Sequence, residues 1–195
     1  MDRWLATQTN VTSWSANFTQ TRHLQALTTP LVTPGRVWFA APDKFHWELG
    51  SPPQSLALRN GDRMLLLSPR LKRAELATLG TATGTLREAL SLLDTGFPRD
   101  AAEFRRRFQL LSLTTTNATH TLRLQPRVAQ TRRMFPEFTV VLGTNDLELI
   151  ATEIRLGDGS ILRNDFTNAV RNARVDETQF DTTPPAGYQV TKLSP

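Results

Sequence analysis

Gly35-Arg36-Val37-Trp38-Phe39-Ala40, followed after Ala41-Pro42-Asp43 by Lys44-Phe45-His46-Trp47-Glu48-Leu49, decides the fold class. Val37, Phe39, Phe45, Trp47 and Leu49 alternate with Trp38, Ala40, His46 and Glu48. A period of two marks strands with one apolar and one wet face. Such strands belong to antiparallel sheets, because buried parallel strands read as continuous apolar runs. The same period returns at Leu56 and Leu58, at Leu122 and Leu124, at Phe138, Val140 and Leu142, and at Ile154 and Leu156.

Turn signals separate these runs: Pro34-Gly35, Asn60-Gly61-Asp62 and Gly157-Asp158-Gly159-Ser160. Asn60-Gly61 predicts a type I′ hairpin, which needs positive φ at both central residues. Gly157–Ser160 lacks the spaced acidic ligands of a calcium loop and reads as a hairpin turn. Helical signals are few. Residues 3–9 predict a short helix carrying Trp4 and Leu5. Leu86, Leu90 and Leu93 share a helical face within residues 84–94, and Gly96 stands where a stop belongs. A third short helix is predicted over 100–105, and 127–134 is ambiguous between loop and helical turn. The order is a short helix, about five strands, one or two helices, then five or six strands. No linker or repeat interrupts it, so residues 1–195 are expected to form one α+β domain with a large antiparallel sheet.

Composition narrows the function classes. The chain has 195 residues, no cysteine, three histidines and a net charge of +5. The missing cysteine excludes disulfide scaffolds, thiolate catalysis and Cys-ligated metal sites. His23, His46 and His120 stand apart in sequence, so no metal site is expected. Glycine-rich phosphate loops, nucleophile elbows and the HExxH zinc motif are absent from the sequence. The carboxylate pairs Asp43/Glu48 and Asp176/Asp181 read as surface groups, so no catalytic residue and no cofactor is assigned. The basic runs Arg70–Arg73, Arg105–Arg107 and Arg132-Arg133 fall at element ends with no interleaved stacking aromatics, so no nucleic-acid partner is expected. Three Asn-x-Thr triplets, beginning at Asn10, Asn17 and Asn117, match the glycosylation pattern in form only. The first residues show no basic start followed by an apolar run. That leaves a cytosolic protein or a mature form whose leader is gone.

Several blocks resemble one family. Phe18-Thr19-Gln20 resembles the F-x-Q of the first strand of the periplasmic outer-membrane lipoprotein carriers (LolA-like proteins). Gly35–Phe39 with Pro42-Asp43-Lys44-Phe45-His46-Trp47 is similar to their G-x-hydrophobic-W/F and P-x-x-F-x-W block. Gly61–Pro69 resembles their hairpin, and Phe166-Thr167-Asn168 and Phe180–Val190 their closing F-x-x-x-P-P-x-G strand. The resemblance implies an incomplete antiparallel barrel of about eleven strands with helices as a lid over a concave apolar face. It implies a periplasmic monomer that carries lipoprotein acyl chains from an inner-membrane ABC transporter to an outer-membrane acceptor. The mature form then accounts for the N-terminus. The acceptor itself would be anchored through a cysteine, which this chain lacks.

On that reading the cavity wall comprises Phe18, Val37, Phe39, Phe45, Trp47, Leu56, Leu58, Met64 and Leu66 from the first half. Leu122, Leu124, Phe138, Val140, Ile154 and Leu156 come from the second, with Leu86, Leu90 and Leu93 as the lid. One departure stands out: the family arginine that precedes the P-x-x-F-x-W proline and helps hold the lid is Ala41 here. A carrier or sensor of another lipid, or an interaction module with no cavity, would share the same alternation.

Overall fold

The computed structural model describes residues 1–78, 98 and 100–193. Helix α1 spans Asp2–Gln8. Strands β1 (Ser13–His23), β2 (Leu31–Ala40), β3 (Lys44–Leu49), β4 (Ser55–Asn60), β5 (Arg63–Ser68) and β6 (Arg73–Thr78) follow. Helix α2 (Ala101–Arg107) leads into β7 (Phe108–Thr115) and β8 (Thr119–Pro126). Helix α3 (Ala129–Met134) precedes β9 (Glu137–Gly143), β10 (Leu149–Arg155), β11 (Ile161–Arg171) and β12 (Gln189–Lys192). The strands form one open sheet in the order β12-β6-β5-β4-β3-β2-β1-β11-β10-β9-β8-β7.

Local chemistry explains the helix ends. The Asp100 carboxylate accepts from the backbone N–H groups of Ala102 (2.7 Å) and Glu103 (3.1 Å), capping α2. Arg105–Arg107 occupy its last turn, where cations meet the carbonyl end. The ambiguous 127–134 segment resolves as α3. The expected lid residues Leu86, Leu90 and Leu93 lie outside the described residues.

The expected open antiparallel sheet of about eleven strands is present, with twelve strands among the described residues. Several other expectations change. β12 pairs parallel to β6, with Val190 opposite Ala74. Phe180 belongs not to a closing strand but to a 3₁₀ turn, Glu177–Phe180, and only Gln189–Lys192 extends. Pro34-Gly35 is not a turn but the interior of β2. The predicted hairpin forms, yet its centre is Gly61-Asp62, because Asn60 pairs with Arg63. Of the two central residues only Gly61 has positive φ (64°), the pattern of a type II′ turn with glycine first.

The chain divides into two compact units. The first comprises Met1–Asn10, Thr19–Val32 and Glu88–Thr167; the second comprises Val11–Phe18, Thr33–Arg87 and Asn168–Pro195.

Candidate functional site: the apolar sheet faces

In the first unit, cross-strand register places Leu122 opposite Val140 and Leu124 opposite Phe138. On the other side of β9, Thr152 faces Val140 and Ile154 faces Phe138. Five of the six expected second-half residues therefore share one sheet face. Leu122, Leu124, Phe138 and Val140 are at most 2 % exposed, and Ile154 is half-buried. Leu156 lies just beyond β10 in the turn, its N–H donating to the Ser160 carbonyl at 2.8 Å.

This face is already covered by the chain's own aromatics. The Phe138 ring lies 6.4 Å from Phe108, Phe108 lies 5.2 Å from Phe104 on α2, and Phe104 meets Trp4 on α1 edge-on at 5.6 Å. An ion pair between Arg105 and Asp2 (2.8 Å) ties the two helices together. Trp4, Phe104 and Phe108 do not figure among the expected lining residues. The i, i+4 spacing of Phe104 and Phe108 is the signal that could have found them. A polar ladder crosses the same unit. Gln20 Nε2 donates to Asn164 Oδ1 at 3.0 Å, and Asn164 Nδ2 donates to Thr152 Oγ1 at 3.2 Å. The glutamine of the F-x-Q block is thus a buried, partnered amide.

In the second unit, Val37 pairs with Trp47 and Phe39 with Phe45. Trp47 pairs with Ala57, Ala57 with Leu66, and Leu66 with Glu75, while Met64 faces Arg59. Phe18 joins this face: its ring centroid is 3.9 Å from that of Trp47, and its tip lies directly over Gly35. Phe18, Val37, Phe39, Phe45 and Met64 are buried, and Trp47 and Leu66 half-buried. Leu56 and Leu58 are the correction. Their partners are Glu48, His46, Leu67 and Leu65, so they point to the opposite face. There Leu58 packs in a cluster with Leu65, Leu67 and Ala74, bordered by Leu56, Leu76 and Tyr188. β4 and β5 carry apolar residues on both faces, so alternation in β4 alone does not say which face is which.

That opposite face also holds a polar cluster. His46 is 7 % exposed, and its Nε2 stands 3.4 Å from Glu48 Oε1. Glu48 also receives Arg36 at 3.1 Å, and the Arg36 guanidinium lies 5.3 Å over the Trp38 ring. The 3₁₀ turn packs on β3 and β4, with Phe180 fully buried and Lys44 paired to Glu177. Burial pushes the His46 pKa below its ordinary value of 6.5; Glu48 and Gln179 oppose that shift, and Arg36 adds to it. A depressed folded-state pKa means the unfolded chain takes up the proton first. The stability held by neutral His46 is complete above pH 6.5 and declines as pH falls through 6.5 toward the folded-state value. The melting temperature is therefore expected to drop from about pH 7 to about pH 5, and His46→Gln to flatten that slope. An unchanged slope in the variant would exclude His46 as its source.

The remaining candidate polar groups serve local structure. Asp176 accepts from the Thr178 N–H (3.0 Å) and Asp181 from the Thr183 N–H (2.8 Å). Backbone and side-chain hydrogen bonds from these threonines hold both carboxyl groups below the usual range. His120 Nδ1 sits 2.9 Å from Thr115 Oγ1. Among the described residues, no three His, Asp or Glu side chains gather as a metal site. Ala41, at the position where the resemblance implies an arginine, donates its N–H to the Thr12 carbonyl at 2.8 Å.

The chain is an open, mostly antiparallel sheet with an apolar face in each unit. The model of the family "Outer membrane lipoprotein carrier protein LolA" matches residues 9–183, and the chain belongs to that family. An outer-membrane lipoprotein carrier protein from Chromohalobacter salexigens is 31% identical over 86 residues, covering 41% of this chain and 38% of that relative's length. An uncharacterized conserved protein from Thermus thermophilus shares the fold at a TM-score of 0.58 and 10% identity, covering 98% of this chain and 99% of that one. A DUF1329 family protein from Desulfovibrio piger does so at 0.51 and 10% identity, covering 91% and 92%.

Proposed function

We propose that this protein is a periplasmic carrier that takes up the acyl chains of lipoproteins on its apolar sheet faces. It receives them from an inner-membrane ABC transporter and passes them to an outer-membrane acceptor. The observation that carries this reading is the family match over residues 9–183. Within the described residues no helix is long and apolar enough to cross a membrane.

The physics of the covered face fits a carrier that must release its cargo. Burying one CH₂ is worth about 0.8 kcal/mol, so full sequestration of a sixteen-carbon chain would yield about 12 kcal/mol. That corresponds to nanomolar binding or tighter, too slow to hand over. A face filled by its own side chains lowers the net gain. In the first unit an incoming chain has to displace the Phe108 ring, which Phe104 backs, from Phe138, and that ring returns when the chain leaves. Phe138, Val140, Leu122, Leu124 and Ile154 are the proposed acyl contacts there. Phe18, Val37, Phe39, Phe45, Trp47, Met64 and Leu66 are those of the second unit.

Displacement of a polarity-sensitive fluorophore by triacylated lipopeptide, fatty acid or phospholipid tests the reading. Lipopeptide is expected to compete best. Competition led by phospholipid or fatty acid would move the cargo to another lipid, and absence of fluorophore uptake would overturn the carrier. Ile154→Glu, which sets a charge on the proposed acyl face, is expected to weaken lipopeptide competition at least about tenfold. Equal competition in a folded Ile154→Glu protein would remove this face from the site.

A further inference from the structure

The first unit satisfies its buried amides where it can: Gln20, Asn164 and Thr152 form a closed ladder. Helix α1 is the exception. Trp4 and Gln8 are 2 % and 4 % exposed, yet Trp4 Nε1 and Gln8 Oε1 have no hydrogen-bond partner. One is a pure donor and the other a pure acceptor. Trp4 and Gln8 stand at i and i+4, so their backbones are about 6 Å apart along the same helix face. Buried polar atoms left without partners are uncommon in folded proteins, and each is costly unless a bound molecule, water included, satisfies it.

Their location favours a ligand. Trp4 packs on Phe104, Phe104 on Phe108, and Phe108 on Phe138. The orphan pair therefore lies at the end of the aromatic chain that covers the proposed acyl face. A secondary amide presents an N–H and a C=O in opposite directions. It can accept from the indole N–H and donate to the Gln8 carboxamide oxygen at once. An ester offers only the carbonyl and leaves Gln8 unpaired.

We propose that Trp4 and Gln8 form a recognition site for a secondary amide carried at the head of an acyl chain. This rests on the carrier reading above and adds to it a preference for amide-bearing cargo over ester lipids. The amide has two possible sources in such a cargo: the one that attaches an acyl chain, or a peptide bond next to it.

Three competitors separate these cases on the full chain. They are N-palmitoylglycine methyl ester, its isostere with oxygen in place of the amide N–H, and that isostere closed as an N-methylamide. The wild type is expected to bind one or both amide compounds about tenfold more tightly than the plain ester. Trp4→Phe keeps the ring contact and Gln8→Leu keeps most of the volume; each is expected to erase most of that preference while ester binding stays within about twofold. Whichever amide compound loses its advantage identifies the source. A second readout is the Trp4 indole ¹H–¹⁵N resonance, assigned by its loss in Trp4→Phe, which is expected to shift with the amide compound only. Equal binding of amide and ester by wild type and variants, or an indole resonance unmoved at saturation, overturns the site but leaves the carrier. Failure of every competitor to bind overturns both.

Discussion

Gly35→Ala is expected to destabilise the protein by about 1–3 kcal/mol, the usual cost of forcing extra volume into a packed site. A Cβ at this position would lie 2.2 Å from the Phe18 ring tip and 2.5 Å from the Glu48 carbonyl oxygen. Neither neighbour can yield freely. The Phe18 ring is held at 3.9 Å against Trp47, and the carbonyl belongs to the backbone of β3. For a chain of this size the melting temperature should fall by roughly 3–10 °C. Phe18→Leu in the same chain should recover part of the loss, giving a measurable coupling between the two positions. An alanine variant that melts with the wild type would show that β2 does not depend on this ring.

Phe138→Ala carries the largest expected effect, about 3–5 kcal/mol. Phe138 is 2 % exposed, sits between Leu124 and Ile154 across the sheet, and closes the ring chain that begins at Trp4. Its removal withdraws the support of Phe108 and, through it, of α2. Urea unfolding measures the loss. Ile154→Ala, at a half-buried position of the same face, should cost less. A Phe138→Ala loss below about 1 kcal/mol would mean that α2 and its neighbours collapse into the space.

The open antiparallel sheet is legible in the sequence because alternation survives wherever one face is buried. Val37/Phe39, Phe45/Trp47 and Phe138/Val140 all pair as the period implies. The failures have specific causes. In β5, Met64, Leu65 and Leu67 are all buried, so both faces are apolar and the period loses its sign. Alternation alone therefore assigns Leu56 and Leu58 to the wrong partners. Pro34-Gly35 carries the composition of a turn, but the glycine answers to a ring on another strand, which no local window contains. The parallel pairing of β12 depends on a partner strand early in the chain. The aromatic cover from Trp4 to Phe108 joins two helices that a sequence reading places but does not connect.

The second unit draws its strands from both ends of the chain, and β12 is laid against β6 only when residues 189–192 are present. Until then β6 exposes an unpaired edge, and β1 lacks residues of β11, its neighbour in the sheet. A chain emerging N-terminus first, from a ribosome or through a translocation pore, therefore cannot finish this unit early. Its completion waits for contacts of high sequence separation, which fold slowly. The waiting chain carries an open strand edge that invites association. Protection during synthesis or export is thus a demand that the topology itself imposes, separate from the demand to hold any cargo.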